Sequence, residues 1–158
     1  MEERIFPCLK SADISRILFI GCKWYTAHYK DFFRDTGIEY WTTDIDQSSS
    51  VWGAKNKHIT CDAQELDKHF PLHSFDAVLL NGVFGWGVND LESMNRTVTA
   101  IERVLKQGGT LLVGWNPGMI PDPRNLTTII DLFEHESKLP LPERKSFEDH
   151  VYDFFTSK

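Results

Sequence analysis

Asp44 is the residue whose surroundings place it best to do chemistry on a ligand. It ends the run Ile38-Glu39-Tyr40-Trp41-Thr42-Thr43, which is rich in strand-forming residues, and it follows a glycine turn at Gly21 by about twenty residues. A carboxylate at such a strand end can accept hydrogen bonds from two vicinal hydroxyls, as a ribose offers them. The plainer alternative is a cap on the turn that follows. Asp46, two residues on, reads as solvent-facing. His69 and His73 have the spacing of helical metal ligands, but Pro71 between them breaks the helix they would need, so no metal site is expected. No nucleophile-elbow pattern supports a Ser-His-Asp hydrolase. His28, near Gly21 in sequence, is a candidate general base or an ordinary structural histidine.

The elements that must position these residues alternate. Ile17 to Ile20 is a continuous apolar run ending at Gly21, which reads as a strand buried on both faces. Residues 24–36 then take helical spacing, with Tyr25, Tyr29, Phe32 and Phe33 on one face and Gly37 as a stop. A strand, a glycine turn and a helix start a βαβ unit whose turn offers N–H groups and a positive helix end to an anion. Strands follow at 38–43, 57–61, 74–80 and 110–115. Helices are expected at 63–70, 90–106 and 123–134, the second capped by Asn89 with Glu92 and stopped by Gln107-Gly108-Gly109. Segments 144–147 and 150–155 form a closing hairpin turned at Glu148-Asp149. The expected fold is therefore α/β: a doubly wound, mainly parallel seven-stranded sheet with helices on both faces and a C-terminal antiparallel hairpin. Residues 1–15 are a mixed polar lead-in over one edge.

The chain has 158 residues, 41% of them hydrophobic and 25% charged, the size and balance of one globular domain. A formal net charge of −6 with no Lys/Arg cluster argues against nucleic acid or an anionic membrane as partner. Three cysteines, Cys8, Cys22 and Cys61, without a CxxC pair indicate neither a disulfide framework nor structural zinc, and fit a reducing cytoplasm. No run reaches membrane-spanning length, and residues 1–9 lack the apolar core of a signal peptide.

With these strand ends assigned, residues 16–155 resemble a class I S-adenosylmethionine-dependent methyltransferase, so that 1–158 is expected to be a single Rossmann-like domain of that family. The resemblance rests on an ordered set: Ile17 to Gly21 at the glycine-rich first motif, Asp44 at the ribose-binding acid, and Cys61-Asp62-Ala63 at the adenine-binding pair. It continues with Ser74-Phe75-Asp76-Ala77-Val78 at the fourth strand and Val104-Leu105-Lys106-Gln107-Gly108-Gly109-Thr110-Leu111-Leu112 before and within the fifth. It implies S-adenosylmethionine as cofactor, held by Gly21, Cys22, Lys23, Tyr25, Asp44, Ile45, Asp62, Ala63, Asn81 and Gly82. In this assignment Asp62 accepts from the adenine amino group while Ala63 supplies its N–H, although Asp62 equally suits an N-cap. Asn81, Gly82 and Trp86 lie close to the transferred methyl.

The first motif departs from the family. Phe19 stands where an acid normally helps to hold the methionine ammonium, and Lys23 and Tyr25 replace glycines that let the backbone approach the cofactor. Lys23 could instead pair with the cofactor's carboxylate, and Trp24 or Tyr25 could face the sulfonium. After Asn81 there is no Pro-Pro-aromatic pattern of the kind associated with nucleobase or amide methylation. The acceptor, a small molecule or a protein, is left open. Without a long insertion to serve as a lid, the site implies either a large acceptor or a second copy of the chain closing it. Two other readings stand beside methyl transfer: a silent relative acting as a partner module, and a domain binding NAD or another nucleotide.

Overall fold

The computed structural model describes residues 1–158. Its strands are β1 (Arg16–Ile20), β2 (Glu39–Asp44), β3 (His58–Thr60), β4 (Phe75–Asn81), β5 (Leu105–Trp115), β6 (Phe133–Glu134), β7 (Arg144–Phe147) and β8 (His150–Ser157). The helices are α1 (Ile5–Ser11), α2 (Leu66–His69), α3 (Leu91–Val104) and α4 (Thr127–Leu132). The sheet runs β3-β2-β1-β4-β5-β8-β6, with β7 also on β8. The first five strands are parallel, and β8 enters antiparallel against β5. This is the doubly wound α/β sheet with a C-terminal hairpin that the sequence predicts.

Strand alternation divides the core. Leu18, Ile20, Val78, Leu80, Leu111 and Val113 point to one face, where Met94, Val98, Ile101 and Val104 of α3 cover them. Ile17, Phe19, Ala77, Leu79, Leu112 and Phe154 point to the other. There the cover is thinner: α1 contributes Ile5, Phe6 and Leu9, and single turns contribute Tyr29 and Phe33.

Several expectations need correction. Residues 1–15, expected as a polar lead-in over one edge, contain α1, which packs on a face of the sheet and buries Phe6 completely against Tyr29, Phe32 and Phe33. The helix expected at 24–36 is two 3₁₀ turns, Trp24–Thr26 and Tyr29–Phe33. Thr26 is one reason: its hydroxyl accepts from the Lys23 amide at 2.9 Å and donates to the Lys23 carbonyl at 2.9 Å, closing a tight turn in competition with α-helical bonding. With α1 already seated on that face, the aromatics need only dip into it. The cap of α3 is Asp90, whose carboxylate accepts from the Ser93 amide at 2.8 Å, rather than the Asn89–Glu92 pair. The glycines after α3 do not separate it from a strand: β5 begins at Leu105 and shifts register through Gly108, at φ +71°. The strands number eight, because Phe133 and Glu134 leave the last helix and pair with Ser157 and Thr156.

A buried ion network anchors the hairpin. Asp153 on β8, fully buried, accepts from Arg144 Nε (2.7 Å), Arg144 Nη2 (2.8 Å), Trp115 Nε1 (2.8 Å) and His135 Nε2 (2.9 Å). Arg144 also reaches Asp122, which ties the loop after β5 to the hairpin.

Two predictions follow from this packing. Phe6→Ala should lower unfolding free energy by about 3–5 kcal/mol in urea titration, the cost of an aromatic cavity in a core. An unchanged midpoint would show α1 to be dispensable. Asp122 and Asp76 both titrate below the ordinary carboxylate range. Burial acts to raise them and is outweighed by hydrogen bonds from Arg124 and Arg144 to Asp122, and from Lys106, Ser15 and the Arg16 amide to Asp76. A carboxyl lowered on folding stabilises fully above its unfolded value, about 3.9, and loses that contribution as pH falls through the folded value. Stability should therefore fall as pH drops from about 5 to about 2, with a shallower decline in Asp122→Asn.

Candidate functional site

The chain turns sharply where β1 ends. Gly21 takes φ +97°, and a Cβ there would come within 3.0 Å of both the Asn81 carbonyl oxygen and Val83. Only glycine lets the end of β1 lie against the end of β4. The next residue, Cys22, donates its backbone N–H to Asp44 Oδ2 at 2.8 Å. Asp44 Oδ1 accepts the Asp46 amide at 2.9 Å. Asp44 is only 7% exposed, and a carboxylate offers about four lone-pair directions, so two amide bonds leave acceptor capacity free.

A cleft opens at these strand ends. Its lining includes Gly21 and Lys23 from the first loop, Asp44 and Ile45 from the second strand end, Asp62 and Ala63 from the third, and Gly82 from the fourth. Seven of the ten residues singled out from sequence are thus brought together. The other three are placed differently. The Cys22 side chain is buried outside the lining, and its contribution is the backbone amide. Tyr25 is half exposed with its ring edge-on to Trp24, 5.5 Å between centroids, and does not enter the cleft. Asn81 directs its side-chain oxygen to His150 Nε2, 3.1 Å away. The three-residue turn at Trp24–Thr26 also replaces the long helix whose positive end the sequence promised to an anion.

Lys23 is the only cation lining the cleft, which also carries the carboxylates of Asp44 and Asp62. Asp62 caps the following turn by accepting from the Gln64 amide at 2.9 Å, which leaves its second oxygen only a long contact to Gln64 Nε2, 3.4 Å. Phe19 does not block the cleft. It is buried on the opposite face, edge-on to Tyr29 at 5.5 Å. Trp24 (72% exposed) stands in solvent, while Trp86 (66% exposed) lines the cleft.

Thiolate chemistry is unsupported. Burial, reinforced by Asp44, pushes the Cys22 thiol up to about 12. Burial also raises Cys61, which lies 3.1 Å from the Thr43 hydroxyl. His28 is exposed and bonded to Glu2 at 2.9 Å, apart from the cleft, and no group of three His, Cys, Asp or Glu side chains could hold a metal. No helix is long and apolar enough to cross a membrane.

Lining residues that sequence reasoning missed include Gln64, Val83 and Val88. Gln64 was within reach as the residue that Asp62 caps. The valines carry no chemical signal, and they reach the cleft because the loop after β4 folds on itself through Val83, whose carbonyl accepts from Trp86, Gly87 and Val88 at 3.1 Å each.

Residues 18–113, more than half of the chain, match the family model described as a methyltransferase domain. No curated protein sequence matches the chain. Among solved structures, it is similar to the PH0226 protein from Pyrococcus horikoshii OT3, with TM-score 0.70 and 17% identity over 95% of this chain and 85% of the other. It is also similar to a TehB-like SAM-dependent methyltransferase from Corynebacterium glutamicum ATCC 13032 Kitasato, with TM-score 0.67 and 16% identity over 91% and 80%. The N-methyltransferase NodS from Bradyrhizobium japonicum WM9, in complex with S-adenosyl-L-homocysteine, gives TM-score 0.67 and 16% identity over 95% and 81%. At these identities the likeness is one of fold, and the family assignment comes from the match over 18–113 together with the ordered strand-end motifs. This chain belongs to the class I S-adenosylmethionine-dependent methyltransferase family.

Proposed function

We propose that the chain is an active methyltransferase and that its cofactor lies in the cleft across the ends of β1, β2 and β4. One observation carries this reading: Asp44 is buried at the second strand end with both oxygens oriented by backbone amides and lone pairs left over. Such a group is prepared to take a ribose diol. The residues present fit the remainder of the cofactor. Ala63 and Asp62 offer an amide and an acceptor to the adenine, and Lys23 offers a cation to the methionine carboxylate in place of the family's usual contacts. Gly21 keeps the loop close enough for backbone contact. The likeness to NodS, whose solved complex contains S-adenosyl-L-homocysteine, supports S-adenosylmethionine as the cofactor.

S-adenosylmethionine supplies an electrophilic methyl and its own leaving group. The protein's share is therefore to align an acceptor lone pair with the methyl carbon and to keep water away. With the cofactor held by Asp44, Asp62, Ala63 and Lys23, the acceptor–carbon bond would form as the carbon–sulfur bond broke, the bonding pair passing to sulfur and any acceptor proton to solvent. The exposed ring of Trp86 on the cleft wall gives an acceptor an apolar surface to stack on.

A second reading, a silent partner module, draws on the short first turn and on the residues at Phe19, Lys23 and Tyr25. Calorimetric titration with S-adenosylmethionine, S-adenosylhomocysteine and NAD separates the readings. Binding of the first two but not the third is expected. Asp44→Ala should weaken that binding at least about tenfold, roughly 1.4 kcal/mol, with circular dichroism confirming that the variant folds. Heat-neutral titrations with all three ligands would favour the partner module. Gly21→Ala, which sets a Cβ against the Asn81 carbonyl at a left-handed φ, should lower both affinity and melting temperature; an unchanged variant would show that the close approach of β1 and β4 is not required.

A further inference from the structure

Beside the cleft, at the same edge of the sheet, lies a polar cluster that the cofactor reading does not use. Asn81 on β4, Gly114 on β5 and Tyr152 on β8 stand side by side in register. Gly114 leaves a notch: a Cβ there would fall 2.1 Å from Asn81 Oδ1 and 2.9 Å from His150 Nε2. Through it, His150 reaches across β5 to Asn81, its ring edge-on to Tyr152 at 4.7 Å. No larger residue at 114 would permit this contact.

The hydrogen-bond pattern around His150 is one a neutral imidazole cannot satisfy as it stands. Nε2 lies 3.1 Å from Asn81 Oδ1, and Nδ1 lies 3.4 Å from Asn116 Oδ1. Both partners are acceptors, whereas a neutral ring carries one N–H. Burial lowers the His150 pKa, with exposed Asp149 opposing the shift, which favours the uncharged ring. One amide must then be reversed. Asn116 is pinned, since its Nδ2 donates to the Asp149 carbonyl at 2.9 Å and its Oδ1 faces the Trp86 indole N–H at 3.5 Å. The amide nitrogen of Asn81 has no partner within the chain, so a half-turn there loses no hydrogen bond.

Resting on the methyl-transfer reading, we propose that His150 is a positioning residue. As the Nδ1–H tautomer it donates to Asn116 and accepts from the Asn81 amide nitrogen. This holds the Asn81 carbonyl oxygen outward, beside Gly82 of the cleft, where it receives the N–H or O–H of the methyl acceptor. His150 takes no proton from the substrate. It sets the direction of the oxygen that orients the substrate, and so selects an acceptor whose nucleophilic atom carries hydrogen.

Long-range proton–nitrogen NMR on the full chain with isotope-labelled histidine tests this, since the two ring nitrogens of each tautomer have distinct shifts. Near neutral pH His150 should carry its proton on Nδ1, and Asn81→Ala should move the population toward Nε2–H. A parent protein with Nε2–H, a charged ring at neutral pH, or a tautomer indifferent to Asn81→Ala would overturn the proposal. Titration of His150→Phe with S-adenosylhomocysteine should give an affinity within about twofold of the parent, because the cluster serves the acceptor and not the cofactor. A tenfold loss would place His150 in the cofactor site instead and defeat the proposal. If the parent protein itself fails to bind S-adenosylhomocysteine, the cofactor reading falls while the tautomer result still decides the orientation of Asn81.

Discussion

The two amide bonds received by the Asp44 carboxylate are the constraint around which this molecule is arranged. A charge that is 7% exposed must be met by donors, and the nearest are backbone N–H groups of the loop leaving β1 and of the turn leaving β2. Hydrogen bonds to a charged acceptor are worth about 1.5–3 kcal/mol each, enough to hold a loop that has no helix behind it to hold it. The same bonds fix the carboxylate's direction. A residue that completes the fold therefore also lines the cleft, and its hold on the two amides is compatible with the proposed ribose contact.

The two faces of the sheet are unequally built, and the site reflects it. The face under α3 has a long amphipathic helix and a continuous apolar cover. The opposite face is covered by α1, isolated 3₁₀ turns and stacked aromatics such as Phe33 on Tyr40, 4.9 Å apart and nearly parallel. Such thin cover leaves little chain to fold over the strand ends. Trp86 stands exposed on the cleft wall.

At the start of β8 the fold relies on a different device. Asp153 and Arg144 tie β8 to β7 and, through Asp122, to the loop after β5. Burying that carboxylate is tolerable only because four donors surround it, and removing one partner would leave an uncompensated charge. The network fixes where β8 begins, and so where His150 meets Asn81 across the notch at Gly114.

Local signals were enough for the succession of strands and helices along the chain and for a mainly parallel sheet. Continuous apolar runs at Ile17 to Ile20 and Ala77 to Leu80, with polar residues at their ends, allow few arrangements other than a parallel sheet, and Asp44, Asp62 and Gly82 then necessarily share one edge. The length of the first turn was not legible, because helical spacing in 24–36 is also satisfied by two 3₁₀ turns once Thr26 bonds Lys23 and α1 occupies the face. Nor was the role of residues 1–15, since the helical spacing of Ile5, Phe6 and Leu9 spans barely one turn and a half, too little to stand out as an element. By itself the sequence determined the alternation of strands and helices, the mainly parallel sheet and the placing of an acid at the end of the second strand, since each is written in residues near one another in the chain. Only the tertiary structure decided that Tyr25 faces solvent, that Asp153 is buried among four donors, and that Asn81 meets a histidine sixty-nine residues away. Contacts between distant strands are set by register across the whole sheet, and no stretch of residues carries that information alone.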